Sequence, residues 1–343
     1  MNANGNFHNH LSAIFAGDNL NQTEMHQMMN TILSGDLTDA QIGAFMGALA
    51  AKGETFAELA GAAQAMRKKA LRIQATASTV VDTCGTGGDG THSFNISTTT
   101  AFVVAGCGVT VAKHGNRSVS SRCGSADLLE ALGVRLETEP EIVEEAISAI
   151  GIGFLYAPLY HSAMRHAAGP RKEIGLRSIF NMLGPLTNPA GANCQLLGVY
   201  APELTEMFAD ALKLLGSKRA LIVHGHDGLD EISVCAPTRV SELRDGRIGT
   251  FDLLPEQFFG EVADPASMQG GDPMVNADIT RRILSGEKGP RRNVVALNAA
   301  AALVAADRAD DIQAGIKQAE AAIDTGAAAG KLEQLVAYTQ NNG

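Results

Sequence analysis

Tryptophan is absent from the 343-residue sequence, and aromatic residues make up only 5% of it. Basic residues are also few: 27 Lys and Arg stand against 37 Asp and Glu, which gives a formal net charge of −10. Nucleic-acid-binding surfaces need clustered cations to replace counterions, so this balance argues against a nucleic-acid partner. A local basic pocket for a small anion is still compatible with it.

Cysteines are few and scattered along the chain. There are five of them, and none forms a C-x-x-C pair, which argues against a disulfide framework and against a zinc site. No apolar run reaches the roughly 18 residues that a membrane-spanning helix needs. The first residues also lack the basic and apolar regions of a signal peptide. We therefore expect a cytoplasmic protein with no membrane partner.

The hydrophobic pattern changes near residue 77. Residues 37–52 and 54–72 carry apolar residues at helical spacing, and Asp36 or Thr38 is placed to cap the first helix. From Val80 onward, short apolar segments alternate with helical ones, which predicts a mainly parallel sheet covered by helices on both faces. We expect an α/β fold made of a small all-helical domain, residues 1–76, and a larger α/β domain, residues 77–343.

Two segments depart from this alternation. Residues 161–190 are helix-like with Pro and Gly breaks, and we expect them to return to the N-terminal helices and complete the helical domain. Residues 241–253 alternate polar and apolar residues around an Asp-Gly pair, which predicts a hairpin.

Four glycines lie within the six residues 85–90, between an apolar strand and a run of small hydroxyl residues. Glycines between a strand and a helix allow bare backbone N–H groups to approach a phosphate, and the helix N-terminus adds a partial positive charge. The loop matches neither the P-loop nor G-x-G-x-x-G. The alternative is a tight turn that binds nothing.

A second segment, residues 113–127, follows the next predicted strand. It combines Lys113, His114, Arg117 and Arg122 with several serines and glycines. The carboxyl ends of strands are where open α/β sheets bind ligands, and mixed cations and hydroxyls suit a multiply charged phosphate. Taken alone, the segment also fits a solvated loop.

Acidic residues follow a later strand. Asp227, Asp230 and Glu231 supply hard oxygen ligands of the kind that Mg²⁺ prefers beside a phosphate. A solvated acidic loop is the alternative. His224 and His226 lie nearby, but further nitrogen or sulfur ligands at zinc spacing are missing.

Basic residues also occur within residues 169–189. Arg171, Lys172 and Arg177 are candidates to reach a carboxylate or phosphate, unless they are ordinary surface cations of an amphipathic helix. Arg171 follows Pro170, so we expect it at the start of a helix that faces the cleft. The four segments together indicate a phosphorylated, Mg²⁺-dependent substrate at a cleft between domains.

Several motifs occur in order along the chain: GTGGD at 85–89, NIST at 95–98, KHGNR at 113–117, CGSADLLEALGV at 123–134, GPRKEIGLRSIFNMLGPLTNP at 169–189, and Asp230–Glu231. With them, nearly the whole chain resembles the anthranilate phosphoribosyltransferases. The resemblance implies a nucleoside phosphorylase/phosphoribosyltransferase-like fold and a homodimer formed through the helical domains. It also implies the transfer of the 5-phosphoribosyl group of 5-phosphoribosyl 1-diphosphate (PRPP) to the amine of anthranilate, with release of diphosphate, in tryptophan biosynthesis.

The resemblance also assigns residues to ligands. We expect that no single side chain acts as the catalytic acid or base. The PRPP site implied by it comprises Gly85, Gly88, Asp89, Ser93, Asn95, Ile96, Ser97, Thr98, Lys113, His114, Gly115, Asn116, Arg117, Ser118, Val119, Ser120, Ser121 and Ser125. Anthranilate is assigned to Gly85, Asn116 and Arg171, the last of these to its carboxylate. The implied cofactor is Mg²⁺, with two ions held by Asp230, Glu231 and Ser97.

Two other functions fit parts of the pattern. A pyrimidine nucleoside phosphorylase would share the fold type and would use inorganic phosphate to split a nucleoside. A relative without enzyme activity would bind nucleic acid and would need a basic stripe, which the net charge of −10 argues against.

Overall fold

The computed structural model describes residues 3–118 and 122–342, so the predicted site residues Val119, Ser120 and Ser121 lie outside the described residues. Four helices come before the first strand: α1 (Ala3–Phe15), α2 (Gln22–Ser34), α3 (Asp39–Lys52) and α4 (Phe56–Lys69). In the part of the chain that is described, no helix is both long and apolar enough to cross a membrane.

Side-chain caps begin α2, α3 and α4. In each, the N-cap residue and the third helical residue exchange hydrogen bonds with each other's backbone, as the pairs Asn21–Glu24, Thr38–Gln41 and Thr55–Glu58. Thr38, one of the two predicted caps, is therefore the cap of α3. The second predicted helix, residues 54–72, is shorter than expected because Thr55 caps its start and Ala70 is already extended.

The sheet has seven strands: β1 (Val80–Gly85), β2 (Thr110–Gly115), β3 (Ile152–Tyr156), β4 (Cys194–Gly198), β5 (Arg219–Gly225), β6 (Thr238–Arg244) and β7 (Arg247–Leu253). Their order in the sheet is β3-β2-β1-β4-β5-β6-β7. The first five strands pair in parallel, and β6 and β7 add an antiparallel hairpin. The predicted mainly parallel sheet and the predicted hairpin are confirmed.

The remaining helices lie between the strands and after the sheet: α5 (Ile96–Gly106), α6 (Ser125–Leu132), α7 (Pro140–Ile150), α8 (Ala157–Tyr160), α9 (Arg165–Ile174), α10 (Ile179–Leu183), α11 (Leu204–Leu214), α12 (Glu256–Phe259), α13 (Pro273–Leu284), α14 (Pro290–Ala305), α15 (Ile312–Asp324) and α16 (Ala327–Asn342). Residues 161–190 return to the N-terminal helices: α9 packs on α2 and α3, and α10 packs on α3 and α4.

The two faces of the sheet pack into different hydrophobic cores. Side chains alternate between faces along a strand, so Leu196 and Leu221 pack with the C-terminal helices, whereas Leu197 and Ile222 point the other way. The second core continues through α11 into α2, α3 and α4. The N-terminal helices and part of one sheet face therefore share a single core, while Val80, Ala112 and Leu155 on the same face belong to a smaller third cluster.

Glu58 is the most enclosed charge among the N-terminal helices. Its side chain is 0% exposed and forms a 3.0 Å ion pair with the Lys52 ammonium. The carboxylate also accepts hydrogen bonds from the Leu20 N–H at 3.0 Å and from the Thr55 N–H at 2.8 Å. One side chain therefore joins the ends of α3 and α4 to the loop that precedes α2.

We expect Glu58→Ala to lower the free energy of unfolding by about 3–5 kcal/mol, because two N–H groups lose their acceptor and the Lys52 ammonium, which keeps only neutral oxygen acceptors, loses its counter-ion. Glu24 is the matched control, since it occupies the same capping position on α2 but is only half-buried. Glu24→Ala should lower the free energy of unfolding by only about 1 kcal/mol. Urea unfolding followed by circular dichroism measures both, and equal losses would contradict the role assigned to Glu58.

Candidate functional site

The glycine loop, the segment after β2 and the acidic loop after β5 lie at one edge of the sheet. They follow the carboxyl ends of parallel strands, at Gly85, Gly115 and Gly225 respectively. This edge is where open α/β sheets bind ligands. The sheet thus brings together the three segments that the sequence singled out separately.

The glycine loop packs tightly against Asp230. A Cβ on Gly85 would lie 2.5 Å from the Asp230 Oδ2, so a larger residue would displace the Asp230 carboxylate. Two residues further on, the Gly87 N–H donates to the same Oδ2 at 2.8 Å. Gly87 and Gly88 have φ values of 66° and 73°, in the left-handed region that favours glycine. The predicted glycine loop and the predicted acidic pair are therefore in direct contact.

The start of α5 meets the second acidic residue. The Ser97 N–H donates to the Glu231 Oε1 at 3.0 Å. Thr83 on β1 fixes this turn, because its hydroxyl donates to the Ser97 carbonyl at 3.0 Å. The buried hydroxyl of Thr98 has no hydrogen-bond partner among residues 3–118 and 122–342. Ile96 is buried in the core, so any ligand contact it makes comes from its backbone.

Two more predicted residues of this segment connect to neighbouring loops. The Asn95 side-chain amide donates to the Cys123 carbonyl at 3.0 Å and accepts from the Asn276 amide at 2.9 Å. Ser93 forms an isolated antiparallel bridge with Gln269. The Asp89 carboxylate accepts hydrogen bonds from the hydroxyl and N–H of Thr91.

Lys113 lies beneath the site rather than in solvent, with 4% of it exposed. Its ammonium donates to the Thr83 carbonyl and, at 3.5 Å, to the Ser97 hydroxyl. Burial lowers the pKa of Lys113, while the nearby Asp82, Cys84 and Glu231 act to raise it. The residue thus places a buried cation beside the acidic pair.

His114 is also buried, next to His161, with their ring centroids 5.0 Å apart. Burial and the neighbouring His161 lower the pKa of His114 to about 3, so its ring is neutral at physiological pH. Its Nδ1 lies 3.2 Å from the Gly184 carbonyl. The His114 backbone N–H donates to the fully buried Asp82 carboxylate at 3.3 Å.

The end of β2 is held by the start of α6. A Cβ on Gly115 would lie 2.2 Å from the Ser125 hydroxyl oxygen and 2.8 Å from the Phe154 ring, so a larger residue would displace both side chains. That hydroxyl lies 3.2 Å from both the N and the O of Asn116. The predicted ligand-binding residues Gly115, Asn116 and Ser125 therefore form one compact turn.

Arg117 is engaged with acidic side chains of α6. Its guanidinium pairs with Asp127 at 2.9 Å and with both oxygens of Glu130 at 2.8 and 3.0 Å. The Ser118 N–H donates to the Asp127 Oδ2 at 3.0 Å. These partners of Arg117 and Ser118 were not among the sequence predictions.

The acidic pair is electrostatically crowded. Burial raises the pKa of Asp230 well above its usual range, and the neighbouring Asp89 and Glu231 carboxylates raise it further. Burial also raises the pKa of Glu231 to about 7, against the opposing effects of Lys113 and the Ser97 N–H. A bound cation would favour the ionised form of both carboxylates.

This donor set fits Mg²⁺ that is bound jointly with a substrate. Within residues 3–118 and 122–342, no three His, Cys, Asp or Glu side chains come together as a complete metal site. Mg²⁺ commonly takes one or two carboxylates, with water and substrate phosphates completing its octahedron. Asp230 and Glu231, beside a phosphate-type glycine loop, match that arrangement.

Arg171 is not at a helix start, as its position after Pro170 had predicted. α9 begins at Arg165, so Pro170 lies inside the helix and Arg171 in its last turn. The 3₁₀ turn at Ser162–Met164 leads directly into α9 and sets its start upstream of the proline. Arg171 is half-buried, and its Cζ lies 5.5 Å from the centroid of the Phe180 ring.

Of the three basic residues in this segment, Arg177 is the one that touches the glycine loop. Its Nη2 donates to the Gly88 carbonyl, and its Cζ lies 4.2 Å from the centroid of the Tyr200 ring. A cation above an aromatic face is attracted by the ring's negative charge density. Arg177 thereby connects the α9–α10 linker to the predicted phosphate loop.

Sequence reasoning missed several supporting residues. The Asn188 amide donates to Asp82 at 2.8 Å and to the Ala112 carbonyl at 2.7 Å. Asp127 and Asn276 likewise support predicted site residues. Asn188 and Asp127 lie within motifs that the sequence displayed, whereas nothing local distinguishes Asn276.

Comparison with known proteins agrees with this geometry. Residues 77–329 match the α/β domain of a glycosyl transferase family, and residues 9–70 match the helical bundle domain of a glycosyl transferase family. An anthranilate phosphoribosyltransferase of Desulfosudis oleivorans is 68% identical over 334 residues, which is 97% of this chain and 98% of that protein.

Solved structures agree as well. Anthranilate phosphoribosyltransferase from Thermus thermophilus matches with a TM-score of 0.92 and 42% identity, over 96% of this chain and 99% of the other. The enzyme from Saccharomyces cerevisiae in complex with PRPP and Mg matches with a TM-score of 0.88 and 29% identity, over 97% and 98% of the two chains. With its fold and these relatives in agreement, the chain belongs to the anthranilate phosphoribosyltransferase family.

Proposed function

We propose that the protein transfers the 5-phosphoribosyl group of PRPP to the amine of anthranilate, yielding N-(5-phosphoribosyl)anthranilate and diphosphate, in tryptophan biosynthesis. One observation carries the proposal: the Gly87 N–H, the Ser97 N–H and the Lys113 ammonium lie around the Asp230–Glu231 pair at the ligand-binding edge of the sheet. Because those two N–H groups are taken up by the carboxylates, they position the cation site, and the remaining backbone of the glycine loop and of the start of α5 would meet the diphosphate beside it.

PRPP would lie along the glycine loop, the start of α5 and the end of β2. Gly85, Gly88 and Asp89 would contact it from the glycine loop, and Ser93 and residues 95–98 from the start of α5. From β2 to α6, Ser125 and the predicted residues of 113–121 other than Arg117 would hold its phosphates. Because the Arg117 guanidinium is already paired with Asp127 and Glu130, its part is to support the segment.

Asp230 and Glu231, with the Ser97 hydroxyl, would hold the two Mg²⁺ ions. Bound there, Mg²⁺ supplies charge neutralisation to the departing diphosphate. Lys113 adds a buried positive charge on the same side, so negative charge that develops on the leaving group meets a preorganised environment. The two carboxylates then act as metal ligands rather than as proton donors.

Anthranilate would be placed by Arg171, which would bind its carboxylate, and by Asn116 and Gly85. A neutral aromatic amine is already a nucleophile, so the reaction needs no strong general base. Holding the amine against C1 of the ribose in the right orientation then supplies much of the rate.

The same resemblance supports three further parts of the proposal. The chain would act as a homodimer through its helical domain, in the cytoplasm. That domain would comprise residues 1–76 with residues 161–190, and residues 77–343 would form the α/β domain. Packing of α9 and α10 on α2, α3 and α4 is in keeping with this division.

The first test is the loss of anthranilate fluorescence when the purified protein is mixed with PRPP and Mg²⁺. We expect the loss to require both. Omission of PRPP or addition of a chelator is the control. Phosphorolysis of thymidine or uridine without consumption of anthranilate would instead identify a nucleoside phosphorylase and overturn the proposal, as would a gel shift of nucleic acid by an inactive protein.

Asp230→Asn and Glu231→Gln should lower kcat by about 10²–10³-fold, because metal neutralisation of a leaving group contributes several kcal/mol. The Mg²⁺ concentration that gives half-maximal activity should also rise in both variants. Asp227→Asn is the matched control, since Asp227 lies in the same acidic loop but accepts the Ser233 hydroxyl at 2.6 Å. Near-wild-type turnover of the first two variants at low Mg²⁺ would contradict the metal assignment.

Arg171→Gln should raise the KM for anthranilate by roughly 10–100-fold and leave the KM for PRPP nearly unchanged, because a charge-assisted bond to a carboxylate contributes about 1.5–3 kcal/mol. Lys172→Gln removes an adjacent but exposed charge and should change neither value. Steady-state kinetics with each substrate varied in turn measures both. A rise in the KM for PRPP alone would assign Arg171 to the phosphates instead.

A further inference from the structure

One carboxylate holds the backbone at two places that are close in space but six residues apart in sequence. The Asp127 Oδ2 accepts the Ser118 N–H at 3.0 Å and the Gly124 N–H at 2.9 Å. Its other oxygen, Oδ1, accepts the Arg117 guanidinium at 2.9 Å. Asp127 lies in the first turn of α6, where negative charge also favours the helix N-terminus.

The two backbone stretches are packed against each other, so the shared acceptor follows from the geometry. A Cβ on Gly124 would lie 2.4 Å from the Ser118 nitrogen and 2.7 Å from the Asn116 oxygen. Only glycine allows this approach, and it turns the Ser118 and Gly124 N–H groups toward a single point. The Asp127 carboxylate occupies that point.

Asp127 is charged in this arrangement. Burial alone would raise the pKa of its carboxyl, but the Ser118 and Gly124 N–H groups and Arg117 outweigh burial and hold the pKa below its usual range. A neutral amide in its place could accept at one oxygen only, and its NH₂ group would face donors. The carboxylate therefore matches its three donors in a way that an isosteric asparagine cannot.

We call the Asp127 carboxylate with its three donors, on Arg117, Ser118 and Gly124, the clamp. It adjoins the turn of Asn116 and Ser125, which our proposed function assigns to the substrates. The Ala126 N–H donates to the Asn116 carbonyl at 3.2 Å, and the Ser125 hydroxyl contacts the same residue. Asn116 and Ser125, which the proposed function assigns to substrate, are thus joined directly to the start of the helix that carries Asp127. Backbone N–H groups and hydroxyls bind a phosphate well only when their positions are preorganised.

We propose that Asp127 is a positioning residue for PRPP: its carboxylate fixes the backbone at Ser118 and Gly124, with Arg117 as its counter-ion, and so preorganises Asn116 and Ser125. This inference rests on the proposed function, because it concerns the phosphate contacts of that site. Arg117 belongs to the clamp and not to the set of phosphate ligands.

Asp127→Asn should weaken PRPP binding by about tenfold or more, since it disrupts charge-assisted bonds of about 1.5–3 kcal/mol. Glu130→Gln is the matched control: Glu130 pairs with the same arginine but is largely exposed, so PRPP affinity should change by less than about threefold. Calorimetric titration with PRPP and Mg²⁺ gives both dissociation constants, and the KM for PRPP should rise in Asp127→Asn with kcat within about threefold of wild type.

A second measurement does not depend on turnover. Amide hydrogen exchange of the substrate-free protein should accelerate at Ser118 and Gly124 in Asp127→Asn, while the amides of the distant helix α11 keep their protection. A general loss of stability would accelerate exchange in α11 too, and would overturn the specific positioning role.

Failure of the inference and failure of the proposed function give different results. If the wild-type protein does not bind PRPP, the proposed function is wrong and the inference falls with it. If wild type binds PRPP but Asp127→Asn binds it as well as Glu130→Gln does, only the inference is overturned. Tighter binding by Glu130→Gln would show that a released Arg117 is itself a phosphate ligand, which also overturns it.

Discussion

The close approach of residue 230 to two strand ends is the constraint on which the site depends. A Cβ on Gly198 would lie 1.5 Å from the Asp230 carbonyl oxygen, and one on Gly85 would lie 2.5 Å from its carboxylate. Because both strand ends are glycine, the loop after β5 reaches across the edge of the sheet to β1. Its next residue, Glu231, then meets the start of α5. Loop, helix start and acidic pair are thus one packed unit.

This packing places like charges together in a region with little water. Burial and mutual repulsion raise the pKa values of Asp230 and Glu231, and Lys113 offsets only part of that effect. At this edge of the sheet, the Asp230 and Glu231 carboxyls therefore lack enough neighbouring positive charge to keep both of them ionised. A ligand that brings its own metal would favour the ionised form of both carboxylates, so its binding would release the protons that the raised pKa values favour.

Sequence patterns predicted most of the architecture, because strands and hairpin are encoded by local alternation and turn residues. The glycine loop and the acidic pair were likewise visible as motifs. Two features were not. Arg171 lies at the end of a helix and not at its start, since the chain upstream of Pro170 was already helical. Asn276 contacts Asn95 across 181 residues of sequence, and only tertiary packing brings such partners together.

The shared core of the N-terminal helices and the sheet has a consequence for how the molecule can be divided. Leu197 and Ile222 on the sheet, Phe208 on α11 and Leu59 on α4 belong to one apolar cluster. Cutting the chain between α4 and β1 would expose a large apolar surface on each fragment. Because such surfaces associate in water, neither fragment would remain monomeric. The helical part is thus not a portable module: it can be exchanged between relatives only together with the sheet face that it covers.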